Sequence, residues 1–404
     1  MLLYVRERVL KLFRTLYITF VSEIARSYYL VFGTKMVSKN IWLIAETAEQ
    51  AQDNGFYFYQ YLRENHSEVN AYYLISKNSP HVDKFKDKDR LVYVHTFKHM
   101  LFLLSAKNII STHGLWMIPK EFGVFKKITR NMLRAKGIML QHGITAIKDG
   151  SKYYHRKNFP LRDLFIASSE REKNIFINHY DYFDHEVVVT GFPRYDYLAD
   201  KSQLPSAKRS IAIMPTYRDG QDTLVIKDFK NTNFFKAIDS LINDEYIFQF
   251  LMENKIELRL YLHRNVQKFS FLFDQSLNED FRPFVKILDD TKIDIRDLIE
   301  ESLLLITDYS SLMFDFIYLS KPFISYQFDH DDFVNSRTEK PLINLRKDLP
   351  GFVVNDQEEL LRHLIELRNK QFKINNEHLL LRKQYFKYTD KLNCQRVFNA
   401  ISNI

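Results

Sequence analysis

Two histidines stand where a chain of alternating strands and helices would expose them. His142, in GIMLQHG, and His263, in ELRLYLHRN, each follow an apolar run of strand type. An imidazole titrates near neutrality, so His142 can take the proton from an attacking hydroxyl, and His263, with Arg264 beside it, can hold negative charge on a phosphate. Gly143 is expected to let the backbone turn tightly after His142 and leave its ring free. Either histidine alone could equally be one bonded within its own loop. One from each half of the chain is harder to explain that way.

A third cluster follows the run SLLLI: Thr307, Asp308, Tyr309, Ser310 and Ser311, leading into the apolar stretch LMFDFIYLS. Hydroxyls and backbone N–H groups at a helix amino terminus make a cradle for phosphate, and the same residues also suit a plain N-cap that binds nothing. Arg218, in MPTYRD, can grip phosphate oxygens with two parallel bonds, or pair with Asp219 at the surface. The stretch from Asp329 to Asp332 contains an Asp-x-Asp without supporting ligands and reads as a solvated turn, so no metal is expected. The single cysteine, Cys394, allows no intrachain disulfide, and no Cys/His spacing suggests zinc. A reducing cytoplasm fits.

These residues need strands to carry them. From residue 40 the chain runs NIWLIAE, a helix from about Gly55 to Asn65, NAYYLIS, LVYVH, a helix near Met100, KNIIST, GIMLQ, DLFIAS and EVVVTG. That rhythm predicts parallel strands with crossover helices. It restarts with SIAIMPTY, one long helix around Asn233 to Asn254, ELRLYLH, FVKIL, a short helix near Ile295, SLLLIT and PFISYQ. With 404 residues, 46% of them hydrophobic, and only 10 Gly and 10 Pro, the chain suits two packed α/β domains, 38–205 and 206–404. The helices after Gln357 are expected to pack back across them. Ligands of such sheets bind beyond the carboxyl ends of the strands, which is where all three clusters fall.

Charge points to anionic partners: 58 Lys and Arg stand against 50 Asp and Glu, a net +8. Residues 1–37 are apolar but interrupted by Arg6, Arg8, Lys11, Arg14, Glu23 and Arg26, which excludes a span of about 20 apolar residues. They read as a basic amphipathic helix, lying on a membrane or packed on its own domain. The segment 115–137 interleaves Trp116, Met117, Ile118, Phe122, Phe125 and Met132 with Lys126, Lys127, Arg130, Arg134 and Lys136, a pattern suited to a lipid interface or to internal packing. The basic residues are scattered and no nucleic-acid module is present.

In this order the segments AETAEQAQDNGFYFYQYL, QHGITAIKDG, DLFIASSEREK, VVVTGFPRYDYL, IAIMPTYRD, LYLHRN, DIRDLIEESLLLITDYSSLMFDFIYLSKPFISYQFD and GFVV resemble the CDP-glycerol glycerophosphotransferase family, which builds teichoic acids and capsular phosphopolymers. The resemblance implies a GT-B fold, two Rossmann-like domains facing a central cleft, with no cofactor or required metal. It places the essential histidines on His142 and His263 and donor contacts on Thr307, Ser310, Ser311 and Arg218, with Arg264 and Asp308 alongside. Where the family often has proline after the second histidine, Arg264 stands here. The implied reaction moves glycerol phosphate or ribitol phosphate from CDP-glycerol or CDP-ribitol to a lipid-linked or polymeric acceptor at the inner face of the cell membrane, releasing CMP. The chain is expected to perform the transfer alone. A sugar transferase using a nucleotide sugar and a membrane-peripheral binding scaffold are the competing readings.

Overall fold

The computed structural model describes residues 2–37, 39–114, 116–118, 133–158, 163–205, 207–289, 293–336 and 340–404. The chain divides into two compact units. The first comprises Met1–His142, Ser151–Tyr197 and Lys387–Ile404, and the second Gly143–Gly150 and Leu198–Phe386. The boundary thus differs from a single division at residue 205. Gly143–Gly150 leaves its sequence neighbours because Asp149 N–H donates to the Lys340 carbonyl and Leu342 N–H to that of Ala146. The last helix, Asn393–Ser402, returns to the first unit, where Asp196 accepts the N–H groups of Asn393 and Cys394.

The first unit holds seven parallel strands: β1 (Ile41–Ala45), β2 (Asn70–Ile75), β3 (Leu91–Tyr93), β4 (Ala106–Ser111), β5 (Lys136–Met139), β6 (Leu164–Ala167) and β7 (Val187–Val189). Their order is β3-β2-β1-β4-β5-β6-β7. A parallel sheet covered on both faces needs apolar residues without alternation, and every residue of β1 is buried. Strand order reverses between β1 and β4, so the loops after these strands diverge and open a binding position there. Helix α2 (Asn54–Asn65) follows β1 and starts at Asp53, whose carboxylate caps Asn54 N–H.

The second unit holds six parallel strands: β8 (Ser210–Ile213), β9 (Glu257–Leu260), β10 (Val285–Ile287), β11 (Ser302–Thr307), β12 (Phe323–Tyr326) and β13 (Phe352–Val354), in the order β10-β9-β8-β11-β12-β13. Here the reversal lies between β8 and β11. The expected long helix is two, Asn233–Ile242 and Glu245–Asn254. Asp244 breaks it by accepting Ile247 N–H as an N-cap, and Asn243 bonds back to the Asp239 carbonyl.

Residues Leu2–Val37 form one helix, α1, which packs on helix α3 (Phe97–Ser105). Ile18, Val21, Ser22 and Ala25, at helical spacing, are its buried stripe. Away from that stripe Leu12, Phe13, Leu16, Phe20, Leu30 and Val31 are all more than half exposed. The helix therefore packs on its own unit with one face and leaves apolar side chains on another, among the exposed Arg6, Arg8, Lys11 and Arg14. No helix among the described residues is long and apolar enough to cross a membrane.

Candidate active site

In the first unit the chain leaves β5 through Gln141, whose φ of 57° lies in the left-handed region. This departs from the expectation for Gly143, which does not adopt positive φ. Gln141 can bear the strain because its side-chain amide donates to the Ile166 carbonyl (2.6 Å) and its own carbonyl accepts from Asn54 Nδ2 (2.7 Å). The turn aims His142 outward, where it is exposed. His142 Nδ1 lies 3.2 Å from the Tyr154 hydroxyl, and its ring stacks on His113 with centroids 5.1 Å apart at 19°.

His113 follows β4 as His142 follows β5, and nothing in the sequence reading singled it out. The rule that found His142, a polar residue just past a strand's carboxyl end, would have found it in KNIISTHG. Burial, aided by the positive Arg194, lowers the pKa of His113 to about 4. Its Nε2 faces Asp53 Oδ2 at 3.9 Å, and Asp53 Oδ1 meets Arg194 Nη1 at 3.4 Å. Burial raises the pKa of Asp53 to about 6 against the pull of Arg194. Asn54 holds this group together, its Oδ1 accepting Arg194 N–H at 3.0 Å. Beneath it Glu46 is wholly buried and accepts the N–H groups of Gln52, Asp53 and Phe56.

In the second unit the TDYSS cluster separates into two kinds of residue. Thr307 and Asp308 are buried and committed to the fold: the Thr307 hydroxyl donates to the Met214 carbonyl (2.7 Å), and Asp308 accepts Thr216 N–H (2.8 Å) and Tyr309 N–H (2.6 Å). The Thr307 hydroxyl, expected to contact the donor, makes a strand-to-strand tie. Ser310 and Ser311 lie at the surface of the turn, and among the described residues no acceptor meets their backbone N–H groups. The Ser310 hydroxyl also receives Leu312 N–H at 3.3 Å, a capping contact.

Arg218, expected to contact the donor, is bonded within its own unit. Its two parallel bonds go to Asp329 (2.7 and 2.9 Å), a third reaches Asp308 (2.8 Å), and a fourth goes to the Thr216 carbonyl. Phe234, Tyr309, Phe328 and Phe333 lie around the guanidinium at 5.1 to 5.5 Å. Burial opposes its charge, but Asp308 and Asp329 outweigh burial and hold its pKa above the usual guanidinium value. The fork braces the loop after β8 against those after β11 and β12. Asp329 is likewise no solvated turn, since its side chain is 8% exposed and it precedes the helix His330–Ser336.

His263, at the end of β9, stacks on Tyr217 with centroids 4.6 Å apart. Partial burial, then Lys148 and Arg264, depress its pKa to about 4, so it is neutral near pH 7. Its Nδ1 accepts Asn265 N–H at 3.3 Å, which leaves the ring proton on Nε2. His263 thus offers an N–H donor, with Arg264 as the cation beside it. Lys148, from the Gly143–Gly150 segment of the same unit, is a basic neighbour that the sequence reading quoted but did not use. Arg264 is exposed beside it.

Of the segment expected at a lipid interface, Lys126, Lys127 and Arg130 lie outside the described residues. Arg134 is exposed. Trp116 belongs to the fold, donating its indole N–H to the Glu46 carbonyl, and Met117 beside it is buried in the core of the first unit. Among the described residues no group of three metal-ligating side chains assembles.

The profile of the family described as CDP-Glycerol:Poly(glycerophosphate) glycerophosphotransferase matches residues 27–403. The chain belongs to this family. Among curated proteins it is 28% identical over 389 residues to the minor teichoic acid biosynthesis protein GgaB of Bacillus subtilis (strain 168), covering 93% of this chain and 41% of that protein. It is 26% identical over 374 residues to the teichoic acid glycerol-phosphate transferase of Staphylococcus aureus (strain NCTC 8325 / PS 47), covering 85% of this chain and 88% of the relative. In fold it resembles the wall teichoic acid polymerase TagF, with a TM-score of 0.69 at 18% identity, covering 100% of this chain and 96% of TagF.

Proposed function

We propose that this glycerophosphotransferase-family chain transfers a polyol phosphate from a CDP-polyol to a hydroxyl of a teichoic-acid-like or capsular acceptor, and that its two units are the Rossmann-like domains of a GT-B enzyme. The observation that carries the reading is the family match across residues 27–403, within which an outward-facing histidine follows β5 and a histidine and a serine turn follow β9 and β11. TagF, whose fold the chain resembles, has been solved with CDPG, and the relatives named above are teichoic acid proteins.

In this reading the acceptor oxygen attacks the phosphorus that bears the polyol. His142 takes the hydroxyl proton, a new P–O bond forms, and the P–O bond to CMP breaks. His263 Nε2–H, the N–H and hydroxyl groups of Ser310 and Ser311, and the cations Lys148 and Arg264 balance charge on the phosphoryl oxygens and on the departing nucleotide. Fixed donors aimed at developing charge are the usual source of rate in phosphoryl transfer. Thr307, Asp308 and Arg218 act at one remove by holding the turn in shape. No metal is assigned to the reaction.

The exposed apolar side chains of α1, with Arg6, Arg8, Lys11 and Arg14, suit peripheral contact with an anionic membrane at its cytoplasmic face. Trp116 has no part in that contact, and Arg134 remains a candidate for it.

The test is CMP release from CDP-glycerol and, separately, CDP-ribitol, with an oligomeric or lipid-linked polyol-phosphate acceptor. Acceptor-dependent CMP from one donor, abolished in His142→Ala and His263→Ala, is expected and names the polyol. Turnover of a UDP-sugar in place of both would move the chain to sugar transfer. Binding of CDP-polyols without CMP release with any acceptor would leave a scaffold.

A further inference from the structure

His113 is a histidine with no evident structural task. It is largely withdrawn from water, yet its Nδ1 has no hydrogen-bond partner among the described residues, and its Nε2 sits 3.9 Å from the Asp53 carboxylate, beyond a direct bond. Such a group normally answers to something other than packing. What it does touch is the ring of His142, nearly parallel and 5.1 Å away.

The placement is built rather than incidental. Asp53 caps α2, and Asn54 ties the loop after β5 to Arg194 by donating to the Gln141 carbonyl while accepting Arg194 N–H. Gly55 N–H is bonded to Thr112 Oγ1 (2.9 Å), the residue before His113, and a Cβ at Gly55 would come within 3.0 Å of that oxygen. The loops after β1, β4 and β5 are thereby locked together at the point where strand order reverses.

We propose that His113 is a positioning residue for the transfer base: its uncharged ring forms a platform for His142, and with the Tyr154 hydroxyl at Nδ1 it directs Nε2 of His142 to the acceptor hydroxyl. This rests on the reading of His142 as the base. The physical reason is twofold. An exposed imidazole samples several rotamers, and a stacked ring removes many of them, which raises the fraction of time spent in a reactive geometry. As the proton arrives, the imidazolium gains from the electron-rich face of a neutral aromatic neighbour, whereas a charged neighbour would repel it. Among the described residues, Asp53 and Arg194 act on His113, and the Tyr154 hydroxyl meets His142. Arg194 disfavours a charge on His113, in keeping with a ring that stays neutral through the working pH range.

The experiment measures kcat, the KM for the CDP-polyol and the pH profile of kcat/KM for the wild-type chain, His113→Ala, His113→Phe and His142→Ala, with melting temperatures for each. His113→Ala is expected to lower kcat roughly tenfold with KM for the donor within about twofold, because donor groups lie in the other unit. The acid limb of its profile should move to lower pH by roughly half a unit as His142 loses the ring that favours its protonated form. His113→Phe, which keeps a ring face, should recover most of kcat. An unchanged kcat or an unmoved acid limb in His113→Ala overturns the proposal, as does equal loss in the Ala and Phe variants at normal melting temperature. A loss that follows the melting temperature in both variants also overturns it, by making His113 merely structural. If His142→Ala itself keeps near-normal turnover, the base assignment fails first, and that outcome is separate from any behaviour of His113.

Discussion

The two units place polar residues at the same topological point and use them in opposite ways. In the second unit, the loops after β8 and β11 are joined by Arg218, with Asp308 and Asp329 taking its hydrogen bonds and four aromatic rings enclosing it. In the first unit the loops after β1, β4 and β5 are joined by side-chain bonds of Asn54 and Thr112 to backbone groups, and two histidine rings are left stacked beside them. A saturated ion network gives rigidity to a turn that offers N–H and hydroxyl groups. A stacked pair of imidazoles, one of them exposed, offers a group that can gain a proton. In the proposed reaction the difference separates residues that hold a site from residues that act in it.

The sharpest break in this comparison comes from one substitution in each unit. His142→Ala is expected to cost roughly 10²- to 10⁴-fold in turnover while leaving the melting temperature close to wild type, because an exposed ring contributes little to packing. Arg218→Ala should do the reverse in origin. It strands two buried carboxylates, a change that typically costs about 3–5 kcal/mol, so urea unfolding followed by circular dichroism should move to lower denaturant, and activity should fall in proportion to the folded fraction. Arg218→Lys should not restore stability fully, since an ammonium cannot reproduce the two-bonded grip on Asp329. An Arg218→Ala chain of normal stability that loses donor binding would reverse the assignment of Arg218 to the framework.

Acid sharpens the comparison further. His99 is fully buried, and burial, with a smaller contribution from His95, takes its pKa down to about 3. The unfolded chain therefore takes up a proton on this residue near pH 6.5 that the folded chain refuses. The stability it contributes is fully present above that pH and is lost progressively as pH falls toward 3, at about 1.4 kcal/mol per pH unit. His113 acts in the same direction down to about pH 4. His263 also titrates low, to about 4, but its partial exposure screens the effect. Asp53 and Glu46, in the same unit, oppose this, since burial raises their pKa values to about 6 and about 8 and the folded chain takes up protons there as pH falls. Both tryptophans, Trp42 and Trp116, lie in the first unit, so their fluorescence reports it. His99→Gln should flatten the decline between pH 6.5 and 5 by about 2 kcal/mol, and an unchanged slope would remove His99 as its source.

The strands were legible because parallel strands covered on both faces must be apolar throughout, as in IWLIA and SLLLIT. His142, His263 and the serine turn were legible because polar residues at the ends of such runs stand out. Three features were not. The break at Asn243 and Asp244 depends on local capping that an apolar helical pattern overrides on paper. The partner of Arg218 is 111 residues away, and nothing local in MPTYRD points to Asp329 over the adjacent Asp219. His113 carries no local mark beyond its place after the strand KNIIST, and its meaning comes from the ring across from it, which depends on how the β4 and β5 loops are tied.

Glycine gives the smallest and most discriminating prediction. The motif QHG invites the view that Gly143 makes the turn after His142. Its φ is ordinary, however, and a Cβ there would meet only the Ser311 side chain at 3.7 Å, an ordinary contact. Gly143→Ala should therefore leave the melting temperature within about 2 °C of wild type, and a change in donor KM would mark the space near Ser311 as part of the donor site. Gly191 is the control, since it has φ of +75° and a Cβ there would lie 2.1 Å from Asn393 Oδ1. Gly191→Ala should unfold the first unit at clearly lower temperature. If Gly143→Ala proves as damaging as Gly191→Ala, the turn at His142 depends on glycine after all, and Gln141 is not the residue that carries its strain.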